Sequence, residues 1–304
     1  MLFCSLVALA LSAPVPSREF IFEYSVKVPA QTAPTDIYLP IATSNETQRI
    51  VSRQVDIDVD AASEVERKYG NRYWHARVPT GEAANITIRY HVRRALAGPV
   101  KTVLSTKERD LYLQANERVP VTGDLIDRVL KDVRPPKEDT ASAWARAIYE
   151  YVVTTMEYKK VGSGWGNGDT YWACSQRYGN CTDFHALFIS LARRKGIPAR
   201  FEVGFPVPQD RAAGEIGGYH CWVSFYDGEA WVPIDASEAK KHPQQRDELF
   251  GGQPADRIFF TQGRDLLLGQ HSGPLNYFVY PLVEVAGRVL AKSEMALRFS
   301  FAAP

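Results

Sequence analysis

Hydrophobic residues alternate with polar ones through the first third of the chain, and this period of two is typical of half-buried strands. In EFIFEYSVKV, residues 19–28, every second residue from Phe20 onward is aromatic or valine. The same pattern predicts further strands at residues 36–41, 49–59, 72–78 and 85–94. Because clusters of Pro, Gly, Asn and Thr separate these segments, the sequence predicts a β-sandwich-like domain over residues 18–100.

The pattern changes after residues 98–118, which are predicted to be a connection. Apolar residues then recur at helical spacing, which predicts helices at residues 124–133, 140–151 and 181–195. Asp139 or Thr140 can cap the second of these helices. Asn180 is placed to cap the third, and Gly196 is typical of its end.

Segments rich in aromatic and β-branched residues follow the third helix. They predict strands at residues 199–206, 219–226 and 230–235, and later strands at residues 258–260, 277–285 and 295–301. We expect the later strands to extend the sheet formed by the earlier ones. The third helix would then present a side chain to this sheet.

Composition limits the classes of protein that fit this pattern. The chain has 304 residues, which predicts two domains, and 45% hydrophobic with 23% charged residues is typical of a globular protein. The net charge of +1 comes without a long Lys/Arg run, so nucleic acid is not an expected partner. The Gly-rich loop GSGWGNG, residues 162–168, lacks the Gly-Lys-Ser/Thr ending of a phosphate loop, and no cofactor is expected.

The chain begins with an apolar run, MLFCSLVALALSA, that is too short to span a bilayer. Its length and position are typical of a secretory signal peptide, which we predict over residues 1–17. Since no Lys or Arg precedes the run, an N-terminal strand is the alternative. A signal peptide would make the protein secreted or periplasmic, with no membrane span in the mature chain.

After removal of such a peptide, the chain would keep three cysteines, Cys174, Cys181 and Cys221. An odd number does not indicate a disulfide framework, although a Cys174–Cys221 bond would leave Cys181 as a free thiol. Their spacing is not that of a structural zinc site, so no metal is expected. Cys221 follows His220 directly, and on a strand the two side chains would point to opposite faces, which argues against a shared site.

Cys181 has the position of an activated nucleophile. At the first turn of a helix, the dipole and the unpaired amide hydrogens favour the thiolate, whereas an ordinary cysteine with a pKa near ~8.5 is mostly protonated at neutral pH. His220 can act as its base, and Asp235 can orient that histidine. A predicted hairpin turn at residues 227–228 would place His220 and Asp235 on neighbouring strands.

Each candidate residue also has a structural interpretation. A cysteine at the start of a helix is often a small buried hydrophobic side chain. His185 lies four residues after Cys181 on the same helix face and competes with His220 as the base, although its apolar neighbours favour a position in the core. Asp183 fits a first-turn carboxylate that stabilises the helix dipole.

Three motifs, in order, resemble the core of the transglutaminase-like superfamily over about residues 140–240. They are Gly179-Asn180-Cys181-Thr182-Asp183 with the following Gly196-Ile197-Pro198, Gly218-Tyr219-His220-Cys221-Trp222, and Trp231-Val232-Pro233-Ile234-Asp235. Residues 263–266 and 274–278 are similar to an exported bacterial branch that is described as cysteine protease-like.

The resemblance implies a papain-like α+β fold for residues 101–304, with a helix-borne cysteine packed on an antiparallel sheet. It implies that Cys181, His220 and Asp235 are the nucleophile, base and orienting residue of an enzyme that acts on a protein or peptide through a thioester. Hydrolysis is the favoured outcome. Protein-glutamine γ-glutamyl transfer and a non-catalytic binding or scaffold protein are the alternatives. Trp172 and Gln176 are candidate oxyanion donors by position, and no calcium loop is recognised.

Overall fold

The structure is a computed structural model that describes residues 17–304. The predicted signal peptide, except for Ser17, lies outside these residues. The strands are β1 (Ser17–Val28), β2 (Thr35–Pro40), β3 (Gln48–Ile57), β4 (Ala61–Val65), β5 (Arg72–Val78), β6 (Ala84–Ala95), β7 (Val100–Lys101), β8 (Glu157–Tyr158), β9 (Tyr178–Gly179), β10 (Ala199–Pro206), β11 (Ala213–Glu215), β12 (His220–Tyr226), β13 (Ala230–Ile234), β14 (Arg257–Gln262), β15 (Leu282–Val285), β16 (Arg288–Val289) and β17 (Ala296–Ala302).

The helices are α1 (Thr106–Leu113), α2 (Asp124–Asp132), α3 (Ala141–Thr155), α4 (Thr170–Gln176), α5 (Cys181–Arg194) and α6 (Ala236–Lys241). The three predicted helices correspond to α2, α3 and α5. As predicted, Thr140 caps α3 by accepting a hydrogen bond from Ala143 N. Among residues 17–304, none of the helices is both long enough and apolar enough to cross a membrane.

Two antiparallel five-stranded sheets contain the N-terminal strands. Their strand orders are β11-β17-β1-β6-β3 and β16-β15-β2-β5-β4. In β1 every second residue from Phe20 to Val28 is buried, so the predicted alternation is confirmed. The strands alternate because one face of the sheet contacts the core while the other is more exposed to water.

The C-terminal strands complete these two sheets. β15 pairs with β2, and β17 pairs with β1, where Phe301 lies opposite Phe22. The prediction that residues 277–285 and 295–301 extend the same sheet as residues 199–235 is therefore wrong. The alternation of apolar residues predicts a strand but does not say which sheet the strand joins. For β17 the partner is β1, and the ring centroids of Phe299 on β17 and Tyr24 on β1 are 4.8 Å apart.

The third five-stranded sheet has the order β14-β10-β12-β13-β7, and all its neighbouring strands are antiparallel. α5 packs on this sheet, with the Phe188 ring 6.4 Å from that of Phe225 on β12. The predicted arrangement of a helix on an antiparallel sheet is thus confirmed. It brings the first residue of α5 close to the first residue of β12.

The predicted connection at residues 98–118 contains a helix, α1. Ser105 and Glu108 form its capping box, with Glu108 N donating to Ser105 Oγ over 3.2 Å. Tyr112 is the buried residue of α1. Apolar residues at helical spacing predict α2, α3 and α5, but this pattern is weak in α1. The capping residues Ser105 and Glu108 are the sequence feature that indicates α1.

Candidate active site

A capping box fixes the start of α5 and with it the position of Cys181. Thr182 N donates to Asn180 Oδ1 over 2.9 Å, and Asn180 N donates to Asp183 Oδ2 over 3.0 Å. Asp183 N and Phe184 N both donate to the Asn180 carbonyl oxygen. Across residues 17–304, the Cys181 amide is the remaining first-turn N–H and has no such acceptor, so it can donate to a developing anion.

The Gly-rich loop at residues 162–168 lies against the start of α5. Asp183 accepts hydrogen bonds from Gly166 N at 2.7 Å and from Gly168 N at 3.0 Å. From the other side, the buried Arg264 donates to the Gly168 carbonyl oxygen over 2.7 Å. The loop is therefore fixed to the helix that carries Cys181, and Asp183 has the structural position expected of a first-turn carboxylate.

His220 and Asp235 form a buried pair where two neighbouring strands meet the end of the sheet. His220 begins β12 and Asp235 follows β13, which places His220 Nε2 2.6 Å from Asp235 Oδ2. Arg257 of β14 donates to the same oxygen over 3.0 Å. Oδ1 accepts from Ser237 Oγ and Glu238 N, each at 3.0 Å. Both carboxylate oxygens of Asp235 are thus held in place.

The protonation of His220 and Cys181 is coupled. Burial lowers the pKa of His220, but the charge and hydrogen bond of Asp235 and the contact with Cys181 outweigh it and raise that pKa to about 10. Burial raises the pKa of Cys181, yet hydrogen bonds from Cys221 and His220, with the charges of His220 and His185, bring that pKa well below its ordinary value. These directions describe a thiolate–imidazolium pair at neutral pH.

Cys221 and His220 both lower the pKa of Cys181, which goes against the expectation that the two residues do not easily share a site. Strand alternation itself holds, since Cys221 faces α5, with its sulfur 3.5 Å from His185 Nδ1, while His220 lies on the other face with Trp222. Cys181 is the first residue of α5 and lies at the end of β12. Side chains from both faces of the strand can therefore reach its sulfur.

The three cysteines within the described residues are free thiols, so the disulfide considered between Cys174 and Cys221 is not formed. Burial raises the pKa of Cys174 to about 11. Cys174 and Cys181 are both buried, and they differ in the groups around the sulfur. The two residues therefore provide an internal comparison between an inert and an activated thiol.

The remaining candidates occupy other positions. Trp172 donates its indole N–H to the Tyr178 carbonyl oxygen over 3.0 Å, and Gln176 is exposed at the end of α4. His185, the competing base, is fully buried, and its Nε2 accepts a hydrogen bond from Ala236 N at 3.2 Å. His220, which bonds the Asp235 carboxylate directly, is the better placed of the two histidines.

Sequence reasoning missed two residues that support the site. Arg257 holds Asp235, and the Tyr219 hydroxyl is hydrogen-bonded to Thr182 Oγ1 and Asn180 Nδ2 at the start of α5. A charged residue directly before a buried apolar strand is the signal for Arg257. Tyr219 directly precedes His220, but the local sequence does not indicate that its hydroxyl bonds Asn180 and Thr182 at the start of α5.

Part of the chain is similar to a known protein family. Residues 127–236, which include the three site residues Cys181, His220 and Asp235, match the sequence profile of the transglutaminase-like superfamily. An uncharacterized protein of Haemophilus influenzae is 28% identical over 62% of this chain and 60% of its own length. One from Mycobacterium leprae is 31% identical over 40% of both chains. The matches thus span about 60% or less of the length of these relatives.

Among solved structures, the chain is similar to the crystal structure of a "Putative Cysteine Protease" from Cytophaga hutchinsonii. The TM-score is 0.64, and the match covers 93% of this chain and 90% of the other at 17% identity. The likeness shows that the two chains share a fold. It extends over the N-terminal sheets as well as the segment around the candidate site.

Proposed function

Residues 127–236 belong to the transglutaminase-like superfamily, and from this premise we propose that the protein is a thiol enzyme acting on amide or peptide bonds. The observation that carries the proposal is the buried arrangement of Cys181, His220 and Asp235, in which His220 Nε2 lies 2.6 Å from Asp235 Oδ2. Because Asp235 holds Nε2, His220 presents Nδ1 to the sulfur. The chemistry expected of this arrangement is formation of a Cys181 thioester.

In the proposed reaction, the Cys181 thiolate attacks the substrate carbonyl carbon. The carbonyl oxygen becomes an oxyanion, which the Cys181 amide stabilises by donating its hydrogen. The tetrahedral intermediate collapses when the carbon–nitrogen bond breaks, and His220 Nδ1 gives its proton to the leaving amine. His220 is then neutral and takes a proton from the water that attacks the thioester, which releases the acid and restores the thiolate–imidazolium pair. Trp172 and Gln176 stay predictions as additional oxyanion donors.

We favour hydrolysis over amine transfer. Neutral His220 supplies a base for water after the amine has left, and the similar Cytophaga structure is that of a "Putative Cysteine Protease", a class of enzyme that hydrolyses peptide bonds. Transfer to a lysine of a second protein would pass through the same thioester. The two reactions therefore differ in the second nucleophile and not in the residues that form the thioester.

The proposal is tested by exposing the protein to peptide libraries and analysing Cys181 by mass spectrometry. We expect an acyl adduct on Cys181 and peptide cleavage, both of which disappear in Cys181→Ala. Cys174→Ala is the matched control, since it removes a buried thiol whose pKa is raised, and it should retain both signals. Full turnover in Cys181→Ala would refute the proposal.

Adding a labelled primary amine to the same reaction separates the alternatives. Hydrolysis gives a free acid product whether or not the amine is present, whereas transfer gives an amide that carries the label. A chain that forms neither adduct nor product with any peptide pool would favour a non-catalytic binding protein.

A further inference from the structure

A cleft of about 650 Å³ lies along β17 and is lined in part by the segment that leads into His220. Its volume is in the range of sites that bind ligands. We call it the β17 cleft, and its lining includes Glu215, Gly217, Tyr280, Lys292, Leu297 and Arg298. The proposed reaction at Cys181 does not account for it.

The β17 cleft contains a backbone edge that no other strand of residues 17–304 covers. In an antiparallel strand, the N–H and C=O groups of successive residues point to opposite neighbours. The Phe299 carbonyl oxygen accepts from Ile216 N at 2.8 Å, so Phe299 faces away from β1. Leu297, two residues earlier, faces the same way, but β11 pairs only with residues 300–302 of β17. The N–H and C=O groups of Leu297 are therefore directed into the cleft and are available to an added strand.

A lysine without an anionic partner lies in the same cleft. Lys292 Nζ is 3.2 Å from the centroid of the Tyr280 ring. Glu215, the carboxylate that lines the cleft, is bound instead to Arg298, with Nε 2.8 Å from Oε1. Burial lowers the pKa of Lys292 to about 8, and no carboxylate of residues 17–304 raises it again. At neutral pH the lysine is thus a cation that can accept an ion pair from a ligand.

The β17 cleft leads toward Cys181. Gly217 lines the cleft and lies three residues before His220, so their Cα atoms are at most about 11 Å apart. Tyr219 N donates to the Tyr280 hydroxyl over 3.1 Å. Burial raises the pKa of Tyr280, the hydrogen bond from Tyr219 opposes this, and the nearby charge of Cys181 adds to the increase. An extended peptide, at about 3.4 Å per residue, spans the distance from Gly217 to His220 with three or four residues.

The segment between the cleft and His220 leaves room for a bound chain. No atom of residues 17–304 lies within 4 Å of the place where a Gly217 side chain would begin, so the space beside this residue is open. The next residue, Gly218, has no side chain either, and the Tyr280 hydroxyl lies 3.5 Å from the corresponding place. A peptide can therefore pass Gly217 on its way to the active site without meeting a side chain.

We propose that the β17 cleft binds the substrate as an extended peptide, which adds a strand to β17 at Leu297 and places an acidic side chain on Lys292. This inference rests on the proposed function, since it names the substrate of the same site. Main-chain hydrogen bonds to an open strand edge give affinity for any extended peptide, and side-chain contacts give specificity. A carboxylate is the group that matches the unpaired ammonium of Lys292.

The first test uses pools of short synthetic peptides that carry an acidic, an amide or a basic side chain at one position. Binding is followed by fluorescence anisotropy with Cys181→Ala, which cannot form a thioester, and acylation of Cys181 by mass spectrometry with the unaltered cysteine. We expect the Asp/Glu pool to bind about tenfold more tightly than the Asn/Gln pool, as for one hydrogen bond between charged groups.

Substitutions of Lys292, which is exposed, assign this preference to one residue. Lys292→Glu should abolish the preference for the acidic pool and favour the basic pool, whereas Lys292→Arg should keep the acidic preference. The matched control is Lys107→Glu, at an exposed position of α1, and it should bind all pools as the unaltered protein does.

The second test removes single N–H groups from a bound peptide by N-methylation and leaves the protein unchanged. Strand pairing uses the amides of every second residue, so methylation should weaken binding at alternate positions and have little effect between them. An equal effect at every position, or no effect at any, would overturn the assignment of an added strand.

The outcomes separate this inference from the proposed function. Equal acylation of Cys181 by the acidic and amide pools, or an acidic preference that Lys292→Glu leaves intact, would overturn the assignment of the cleft while the proposed function stands. Acidic peptides that bind Cys181→Ala through Lys292 but never acylate Cys181 would refute the proposed function and leave the cleft as a peptide site. If sedimentation shows a dimer that acidic peptides neither bind nor dissociate, a second copy of the chain covers β17 and the assignment is wrong.

Discussion

Asp235 accepts four hydrogen bonds, and only one of them comes from His220. Arg257 shares Oδ2 with His220, while Ser237 Oγ and Glu238 N bind Oδ1, so that Asp235 also caps α6. The carboxylate thereby couples the orientation of the proposed base to the start of a helix. A substitution of Asp235 therefore affects both the orientation of His220 and the cap of α6, and the size of each effect depends on the new side chain.

Asp235→Asn should separate the two contributions. Asparagine is a good cap, so α6 is retained, but the loss of negative charge removes the main interaction that raises the pKa of His220. We expect turnover to fall by roughly 10²–10⁴-fold, in line with loss of the orienting carboxylate in other triads. Asp235→Ala should additionally lose about 1 kcal/mol of stability from the missing cap, measured by urea unfolding. Equal turnover in Asp235→Asn and the unaltered protein would contradict this account.

The pKa shifts of Cys181 and His220 predict an unusual dependence of stability on pH. The raised pKa of His220 gives stability that is complete below its ordinary pKa of ~6.5 and is lost as pH rises through about 10. The lowered pKa of Cys181 gives stability that is complete above its ordinary pKa of ~8.5 and is lost as pH falls. The two trends oppose each other between ~6.5 and ~8.5.

We therefore expect the free energy of unfolding to be nearly independent of pH across that interval and to fall above ~8.5, as measured by urea unfolding. In Cys181→Ser the opposing contribution of the cysteine is absent. Stability should therefore begin to fall above ~6.5, where the unfolded chain releases the His220 proton while the folded protein still holds it. Identical pH profiles for the two proteins would argue against the thiolate–imidazolium pair.

At the scale of elements, the start of α5 is the feature on which the site depends. Asn180 caps the helix with its side-chain oxygen and binds Tyr219 with its side-chain nitrogen. The same cap leaves the Cys181 amide free to donate. Helix capping and thiol activation are therefore properties of one short segment, and they should respond together to a change in it.

Asn180→Ala should destabilise the protein by about 0.5–2 kcal/mol, the usual effect of losing a cap, and should also slow alkylation of Cys181. The matched control is Thr140→Ala, which removes the cap of α3 away from the cysteine. We expect a similar loss of stability in urea and an unchanged alkylation rate. If both variants slow alkylation equally, the effect is one of general stability and not of the α5 cap.

At the scale of the whole molecule, the C-terminal strands join regions that lie far apart in sequence. β17 pairs with β1, and Phe299 contacts both Tyr24 of that strand and Phe205 of β10, at 4.8 and 4.4 Å between ring centroids. This packing links the first sheet to the sheet beneath α5. The predicted division at residues 100 and 101 remains a prediction, but the strands on its two sides are built into common sheets.

Phe299→Ala should destabilise the protein by about 3–5 kcal/mol, since it opens a cavity among these aromatic rings. Thermal unfolding should nevertheless remain a single transition that shifts as a whole, because the ring contacts both sheets. Arg298→Ala, at the neighbouring exposed position of β17, should change stability by less than about 0.5 kcal/mol. A separate early transition in Phe299→Ala would instead indicate that the two regions unfold independently.

The sequence by itself predicted helices α2, α3 and α5 and the strands that carry the site, and it singled out Cys181, His220 and Asp235 as the candidate residues. The helix over residues 181–194 and the strands at 199–206, 220–226 and 230–234 follow from local periodicity and from caps such as Asn180. The cysteine, histidine and aspartate motifs, in this order, indicated the transglutaminase-like superfamily, whose sequence profile residues 127–236 match. All of these signals lie within short segments, where the backbone period fixes which side chains share a face.

Only the tertiary structure decided which segments meet. β15 pairs with β2, β17 pairs with β1 and packs Phe299 against Tyr24, and Arg257 reaches Asp235 from a third strand. The sequence correctly placed Cys221 and His220 on opposite faces of a strand. It did not indicate that both residues lower the pKa of Cys181. Which side chains reach the Cys181 sulfur depends on where α5 begins relative to the end of β12, and that position is fixed by the packing of the helix on the sheet.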